Sequence, residues 1–197
     1  MIRNIVFDMG NVVIRFDPGY FIDRAGITDE TDRRLIMNEL FLSVEWAQMD
    51  AGILTEQTAE PLILERFPER LKNTVRMLLY TWAYPRDMIP GMEELISRLK
   101  DAGYSIYLLS NASAAQHDYW PKYTVSRLFD GKLISCDVKT VKPCHRIYRL
   151  FTEKFGLKPE ECIFIDDNPD NVEGARRLGM KGIVFAGAEE LRKQLLA

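Results

Sequence analysis

The chain has 197 residues, 47% of them hydrophobic and 28% charged, which is typical of a folded protein with one sizeable core and a small accessory module. A formal net charge of -3 without a dense block of Lys or Arg argues against nucleic acid as the main partner. No apolar run approaches the length of a membrane span, so we expect no membrane partner and a cytoplasmic location.

The first predicted element is a buried strand that ends in a carboxylate. Ile5, Val6 and Phe7 form an apolar run, as in a strand of a parallel sheet that helices cover on both faces. Asp8 follows at the carboxyl end, where ligands bind in open α/β sheets, and Gly10 permits a sharp turn. Taken alone, this stretch is better explained as a plain strand-terminating turn, so a catalytic interpretation depends on the residues downstream.

The next interval is helical throughout. Helix starts are indicated at residues 28–31 and 55–58, and apolar residues follow each of them at helical spacing. No convincing strand is predicted between Asp17 and Arg86. We therefore interpret residues 17–86 as a small helical module inserted after the first strand, and residues 1–16 and 87–197 as an α/β core.

Beyond residue 91, helices and strands alternate. This order predicts a parallel sheet with right-handed crossovers and helices on both faces. The fold class is thus α/β, a doubly wound, Rossmann-like parallel sheet with an inserted helical cap. Helices are predicted at residues 92–102, 143–155, 171–178 and 188–196, and strands at 105–109, 131–135, 161–165 and 182–185.

Polar residues that follow three of the strands are expected to converge. Asp8, Ser110-Asn111 and Asp166-Asp167 stand at strand ends, and neighbouring parallel strands lie about 5 Å apart. Clustered carboxylates repel one another, and Mg²⁺ resolves this conflict because it takes one or two carboxylates plus a substrate phosphate. The Ser110 hydroxyl and the Lys142 ammonium, at the start of the helix predicted at 143–155, would then hold the remaining phosphate oxygens.

These residues carry a resemblance to the haloacid dehalogenase (HAD) superfamily, whose four motifs occur here in order. Within it, the Asp8-Met9-Gly10-Asn11-Val12 form is most similar to the sugar phosphatase subgroup that acts on glucose 1-phosphate. The resemblance covers essentially the whole chain and implies that residues 17–86 are a cap that closes over the active site. The motifs are Phe7-Asp8-Met9-Gly10-Asn11-Val12, Leu108-Leu109-Ser110-Asn111, Lys142-Pro143 and Phe164-Ile165-Asp166-Asp167-Asn168-Pro169-Asp170-Asn171.

The resemblance implies a mechanism and a set of site residues. Asp8 would attack phosphorus and form an aspartyl-phosphate that water hydrolyses, and Lys142 would assist as a catalytic and substrate-binding residue. Ser110 and Asn111 would complete the substrate site. The Mg²⁺ cofactor would be held by Asp8, the Gly10 carbonyl and Asp167, with Asp166 nearby or bridging through water.

Gly10 departs from the family pattern. Most family phosphatases have a second Asp there, which protonates the leaving oxygen and later activates water. Three interpretations stay open: a phosphatase that favours good leaving groups or uses a cap residue or ordered water instead; a binding or regulatory protein with poor turnover; and a haloacid dehalogenase, which needs no acid. The retained Asp8, Lys142 and Asp167 favour a phosphoric monoester hydrolase that acts on a small phosphorylated metabolite, as a monomer or homodimer.

Several further residues have two interpretations each. Asp170 is expected to cap the following helix, and Asn171 to orient Asp167 or the cation. In the cap, Trp46, Met49 and Asp50 precede the Gly52 turn. We interpret Trp46 and Met49 as part of the cap core in preference to substrate contacts. After Ser110-Asn111 come His117, Tyr119 and Trp120, which either line the entrance to the site or pack within the loop.

Overall fold

The computed structural model describes residues 1–84 and 87–196. Its sheet has five parallel strands. The strands are β1 (Asn4–Phe7), β2 (Ser105–Ser110), β3 (Gly131–Ile134), β4 (Cys162–Asp166) and β5 (Lys181–Val184). Their order across the sheet is β3-β2-β1-β4-β5, so β1 is central. The predicted parallel sheet is confirmed, and each strand agrees with its predicted range to within about one residue at either end.

Helices surround the sheet and fill the interval after β1. A π-helical segment, Met37–Phe41, continues α2, and short 3-10 segments occur at Trp120–Lys122, Thr124–Leu128 and Pro159–Glu161. The α-helices are α1 (Pro18–Arg24), α2 (Glu30–Ile36), α3 (Val44–Asp50), α4 (Glu56–Leu64), α5 (Glu69–Thr81), α6 (Met92–Asp101), α7 (Gln116–Tyr119), α8 (Ser135–Val138), α9 (His145–Phe155), α10 (Pro169–Arg177) and α11 (Ala188–Leu196).

Alternating side chains of the strands supply two cores, one on each face of the sheet. Ile5 and Phe7 of β1 pack in the core that α6 and α11 cover, whereas Val6 packs in the core that α9 and α10 cover. All three side chains are fully buried. Burial on both faces explains the unbroken apolar run from Ile5 to Phe7 in β1, and it confirms the doubly wound arrangement.

Helices α1 to α5, which we refer to as the cap, share a third hydrophobic core. Ile36, Leu40, Ile63 and Val75 are fully buried there. Thr55 caps α4 and exchanges hydrogen bonds with Thr58, as expected of a helix start at that point. The predicted boundary of the module at Arg86 lies outside the described residues, so the division at residue 86 stays a prediction. In the described part of the chain, no helix has the length and hydropathy needed to cross a bilayer.

Two helix starts differ from those predicted. Helix α9 begins at His145, so Lys142 lies in the segment before the helix instead of opening it. Helix α10 begins at Pro169 and is capped by Asn168, whose side chain accepts a hydrogen bond of 2.9 Å from the Asp170 N–H. The prediction that Asp170 caps this helix is therefore wrong. A proline at the first helical position, as here, indicates a cap at the preceding residue.

Candidate active site

One row of the sheet brings the predicted catalytic residues together. Because Phe7 pairs with both Leu108 and Ile165, the next residues along the three strands are also neighbours. These residues are Asp8, Leu109 and Asp166, and the Lys142 ammonium binds all three. Its Nζ lies 2.7 Å from Asp8 Oδ1, 2.7 Å from Asp166 Oδ2 and 3.1 Å from the Leu109 carbonyl oxygen.

The buried charge of Lys142 is well compensated. Burial on its own would lower the pKa of Lys142, but the adjacent carboxylates of Asp8 and Asp166 outweigh it and raise that pKa above its ordinary value. Lys142 therefore stays a cation. Its three hydrogen bonds use all the protons of the ammonium group, so its orientation is fixed.

Asn111 positions Lys142 from the neighbouring strand end. The Lys142 N–H donates a 2.8 Å hydrogen bond to Asn111 Oδ1, and Asn111 Nδ2 donates one of 3.1 Å to the Lys142 carbonyl oxygen. Both polar groups of the Asn111 amide are thus engaged with one residue. The Ser110 hydroxyl is buried and donates to the Asn111 carbonyl oxygen, and Ser110 does not line the cavity described below. The roles of Ser110 and Asn111 in substrate binding stay predictions.

Asp166 is saturated by protein donors. Besides Lys142, it accepts hydrogen bonds at Oδ1 from the Asn168 N–H, at 2.8 Å, and from Asn171 Nδ2, at 3.0 Å. Its side chain is fully buried, whereas Asp167 is exposed. The geometry therefore favours Asp166 as the partner that orients Lys142, and Asp167 as the carboxylate available to a cation. The amide of Asn171 orients Asp166, not Asp167.

Three carboxylates are close enough to share one metal ion. Oxygen atoms of Asp8, Asp166 and Asp167 all lie within 4.8 Å of one another. Burial raises the pKa of Asp8, the Asp166 carboxylate adds to the rise, and Lys142 opposes it. Burial and Asp166 also raise the pKa of Asp167. These rises indicate that Lys142 alone does not neutralise the cluster, so the donor set fits a hard divalent cation such as Mg²⁺.

The loop after β1 supplies a further oxygen. Asn11 has a φ of 55°, in the left-handed region that Asn tolerates, and its Oδ1 accepts a 3.1 Å hydrogen bond from the Phe16 N–H. This turn brings the loop back over the end of β1. In the described residues, no hydrogen bond uses the Gly10 carbonyl oxygen, so this atom is free to ligate a cation.

A cavity of about 360 Å³ opens above the carboxylates, between the core and the cap. Asp8, Gly10, Lys142 and Asp167 line its base. Its size suits a small metabolite. Opposite this base, the cavity has an aromatic wall formed by Phe16, Trp46, Trp82 and Tyr119. The centroids of neighbouring rings in this wall lie 5.0 to 6.4 Å apart. The carboxyl groups of Asp50 and Glu56 also line the cavity.

The remaining sequence interpretations divide between packing and the cavity. Met49 and Trp46 do both, because they pack in the cap core and also line the cavity. Tyr119 lines the cavity, whereas Trp120 is buried in the core beside the sheet. His117 lies outside the cavity and pairs with Asp137 at 2.9 Å.

Sequence reasoning missed Phe16, Trp82, Glu56 and Ser113 as residues of the cavity wall. Local signals lay near two of these residues: the Thr55 cap stands one residue before Glu56, and the Ser110-Asn111 motif ends two residues before Ser113.

Comparison with known proteins agrees with this geometry. A profile of the family described as haloacid dehalogenase-like hydrolase matches residues 2–179. Flavin mononucleotide hydrolase 1 of Arabidopsis thaliana is 25% identical over 192 residues, which are 97% of this chain and 75% of that protein. The chain spans less than half the length of several other curated relatives that it matches.

Solved structures show the same fold. A HAD family enzyme from Bacteroides thetaiotaomicron, in complex with magnesium and inorganic phosphate, is similar with a TM-score of 0.74 and 22% identity, over 99% of this chain and 100% of that one. A dehalogenase with an intermediate complex is similar with a TM-score of 0.78 and 20% identity, over 100% of this chain and 98% of that one. At these identities the likeness concerns the fold alone.

Proposed function

The chain belongs to the haloacid dehalogenase-like hydrolase family, and on this basis we propose that it is a Mg²⁺-dependent phosphatase of small phosphorylated metabolites. The observation that carries the proposal is the Asp8 carboxylate at a strand end, bonded to Lys142 and within metal-sharing distance of Asp167. A carboxylate so placed at the base of a cavity is a nucleophile with charge stabilisation beside it.

The chain's own residues account for the steps. Asp8 attacks phosphorus and forms an aspartyl-phosphate, and water then hydrolyses this intermediate to regenerate the carboxylate. Lys142 holds the Asp8 carboxylate in place and offsets the negative charge of the phosphoryl oxygens. Asp8, Asp167 and the Gly10 carbonyl would hold Mg²⁺, which, when bound, supplies positive charge to the phosphoryl group.

The cavity supports a sugar phosphate as the substrate class. Aromatic rings such as Trp46 and Trp82 offer flat apolar surfaces for a sugar ring, and the Asp50 and Glu56 carboxyl groups can accept hydrogen bonds from its hydroxyls. Gly10 offers no acid beside Asp8. A phosphate on an anomeric hydroxyl, as in glucose 1-phosphate, is favoured because this hydroxyl is a better leaving group than an ordinary alcohol.

A phosphate-release screen with and without EDTA tests the proposal. It covers sugar 1-phosphates, sugar 6-phosphates, acyl phosphates and flavin mononucleotide, the last because of the name of the Arabidopsis relative. We expect Mg²⁺-dependent release that Asp8→Asn abolishes without changing the far-UV circular dichroism. Asp137→Asn is a matched control, since Asp137 pairs with His117 outside the cavity, and it should retain activity.

Three results would contradict the proposal. Full turnover by Asp8→Asn would remove the nucleophile. Halide release from haloacids in EDTA, without phosphate release, would favour the dehalogenase interpretation. Binding of phosphometabolites without any turnover would favour a binding or regulatory protein, another of the three interpretations that Gly10 leaves open.

A further inference from the structure

The cap contributes two carboxyl groups to the wall of the cavity. The carboxyl groups of the core at this site belong to the cluster of Asp8, Asp166 and Asp167. Asp50 is the last residue of α3, and Glu56 is the first residue of α4. Both line the same cavity as Asp8 and Lys142. Gly10 cannot transfer a proton, so these two carboxyl groups are the candidates for a proton donor to the leaving oxygen.

Contacts with the core fix the main chain at Asp50. The Ser135 hydroxyl donates a hydrogen bond to the Asp50 carbonyl oxygen and accepts one of 2.9 Å from the Ala112 N–H. Gly52 has a φ of +67°, and a Cβ at this residue would lie 2.3 Å from the Cys136 carbonyl oxygen. The turn after α3 therefore lies directly against the core, and this contact holds Asp50 at the cavity wall.

The side chains of the two cap carboxyl groups differ in what they bind. Within residues 1–84 and 87–196, no hydrogen bond or ion pair engages the Asp50 carboxyl group, whereas the Ser113 hydroxyl donates to Glu56 Oε1. Burial raises the pKa of Asp50 to about 7, the charges of Glu56 and Asp8 add to the rise, and Lys142 opposes it. At neutral pH, Asp50 is thus protonated in a large fraction of molecules and has no protein partner for its proton.

We propose that Asp50 is the general acid of this reaction, supplied by the cap in place of the residue that Gly10 replaces. The inference rests on the proposed phosphatase function. In the first half-reaction, the bond from Asp8 to phosphorus forms, the bond from phosphorus to the leaving oxygen breaks, and that oxygen takes the Asp50 proton. In the second, water attacks phosphorus and gives its proton to the Asp50 carboxylate, and the bond to Asp8 breaks, which releases phosphate.

The groups that face Asp50 define the expected pH profile. They are Glu56 from α4, Asp8 and Lys142 from the core, Tyr119 from α7 and Cys136 from α8. Burial keeps the pKa of Tyr119 well above its ordinary value and raises that of Cys136 to about 12, and Lys142 stays a cation. These three groups do not titrate near neutrality. Burial also raises the pKa of Asp8, but loss of the Asp8 proton exposes the nucleophile and therefore increases kcat. A fall of kcat on the alkaline side of pH 7 thus reports loss of the Asp50 proton.

A series of aryl phosphates with leaving groups of different acidity tests the assignment. General acid catalysis typically contributes about 100-fold to 10,000-fold, and only for leaving groups that need a proton. We therefore expect Asp50→Asn to lower kcat/KM about 100-fold or more on phenyl phosphate and less than about threefold on dinitrophenyl phosphate. Asp50→Asn should also lose the alkaline fall in kcat. Asp137→Asn is the matched control, because Asp137 pairs with His117 outside the cavity, and it should keep the wild-type dependence on leaving-group acidity.

Two results would overturn the assignment. An equal loss on both aryl phosphates would show that Asp50 has a structural role, and a wild-type rate on phenyl phosphate would show that it donates no proton. Failure of the proposed function has a separate signature, because the wild-type protein would then release no phosphate from dinitrophenyl phosphate, which needs no acid.

Discussion

Replacing Lys142 by Met tests whether this ammonium holds the site together. The Lys142 side chain is 1% exposed and lies 2.7 Å from carboxylate oxygens of both Asp8 and Asp166. Methionine is similar in length and apolar volume, so Lys142→Met removes the charge and leaves little empty space. The two carboxylates then face each other without a cation between them.

The expected cost is large. Removing one partner of a buried ion pair typically costs about 3 to 5 kcal/mol. The Asp8 side chain is 12% exposed to the cavity, which places the expectation at the lower end, about 3 kcal/mol. For a chain of this size, such a loss lowers Tm by about 6 to 12 °C.

The loss should depend on pH. The pKa of Asp8 is already raised by burial, and removal of Lys142 removes the main influence that lowers it. A carboxyl group whose pKa is raised on folding stabilises the fold fully below its unfolded pKa, about 4, and this stability is lost as pH rises through the folded pKa. Since the folded pKa is higher in the variant, the difference in unfolding free energy between wild type and variant should be smaller at pH 5 than at pH 8.

Urea unfolding in EDTA at pH 5 and pH 8 provides the measurement. The double variant Lys142→Met, Asp166→Asn is the matched control, because it also removes one of the stranded carboxylates and should recover about 1 kcal/mol or more at pH 8 without recovering activity. A Lys142→Met variant within about 1 kcal/mol of wild type at pH 8, or an equal loss at both pH values, would refute this reasoning.

Two further predictions concern glycines near the cap. Gly52→Ala should cost about 2 kcal/mol or more in urea unfolding and lower activity, because its Cβ would lie 2.3 Å from the Cys136 carbonyl oxygen. Gly26→Ala also has a positive φ but meets nothing within 4 Å, so it should cost only about 1 kcal/mol of strain, and equal losses would contradict a tightly seated turn. In the Asp50→Asn background, Gly10→Asp should raise phenyl phosphate hydrolysis about tenfold or more, because it restores a carboxyl group beside Asp8. There is room for it, since a Cβ at residue 10 would meet its nearest side chain, Phe16, at 3.4 Å. No gain in phosphate release would argue that a carboxyl group at residue 10 cannot replace the lost proton donor.

The sheet and the acidic strand ends could be predicted because both are local patterns. An apolar run such as Ile5 to Phe7 indicates a strand buried on both faces, and parallel pairing then places the residues after each run at one edge. Asp8 and Asp166 came together in this way. Their separation in sequence did not matter, because the register of the strands is set by the same apolar residues that define them.

The position of Lys142 could be predicted only in part. Its place ahead of a helix was a sequence signal, but the two hydrogen bonds with Asn111 join residues 31 apart and depend on how two loops meet. The same limit explains why Asn171 was expected to orient Asp167 or the cation. Either carboxylate follows β4, and only the three-dimensional turn shows that the amide reaches Asp166 at 3.0 Å.

Asp50 shows most clearly what sequence alone does not determine. In sequence it belongs to an ordinary Asp-Ala-Gly turn, which gives no reason to expect a protonated carboxyl group. Its chemistry arises from burial against the core, where Ser135 binds its carbonyl oxygen and Gly52 lies against Cys136. If the acid belongs to the cap and the nucleophile to the core, proton donation requires the cap turn to be seated on Ser135. A Ser135→Ala substitution then weakens catalysis by displacing the acid, although Ser135 itself contacts no reacting atom.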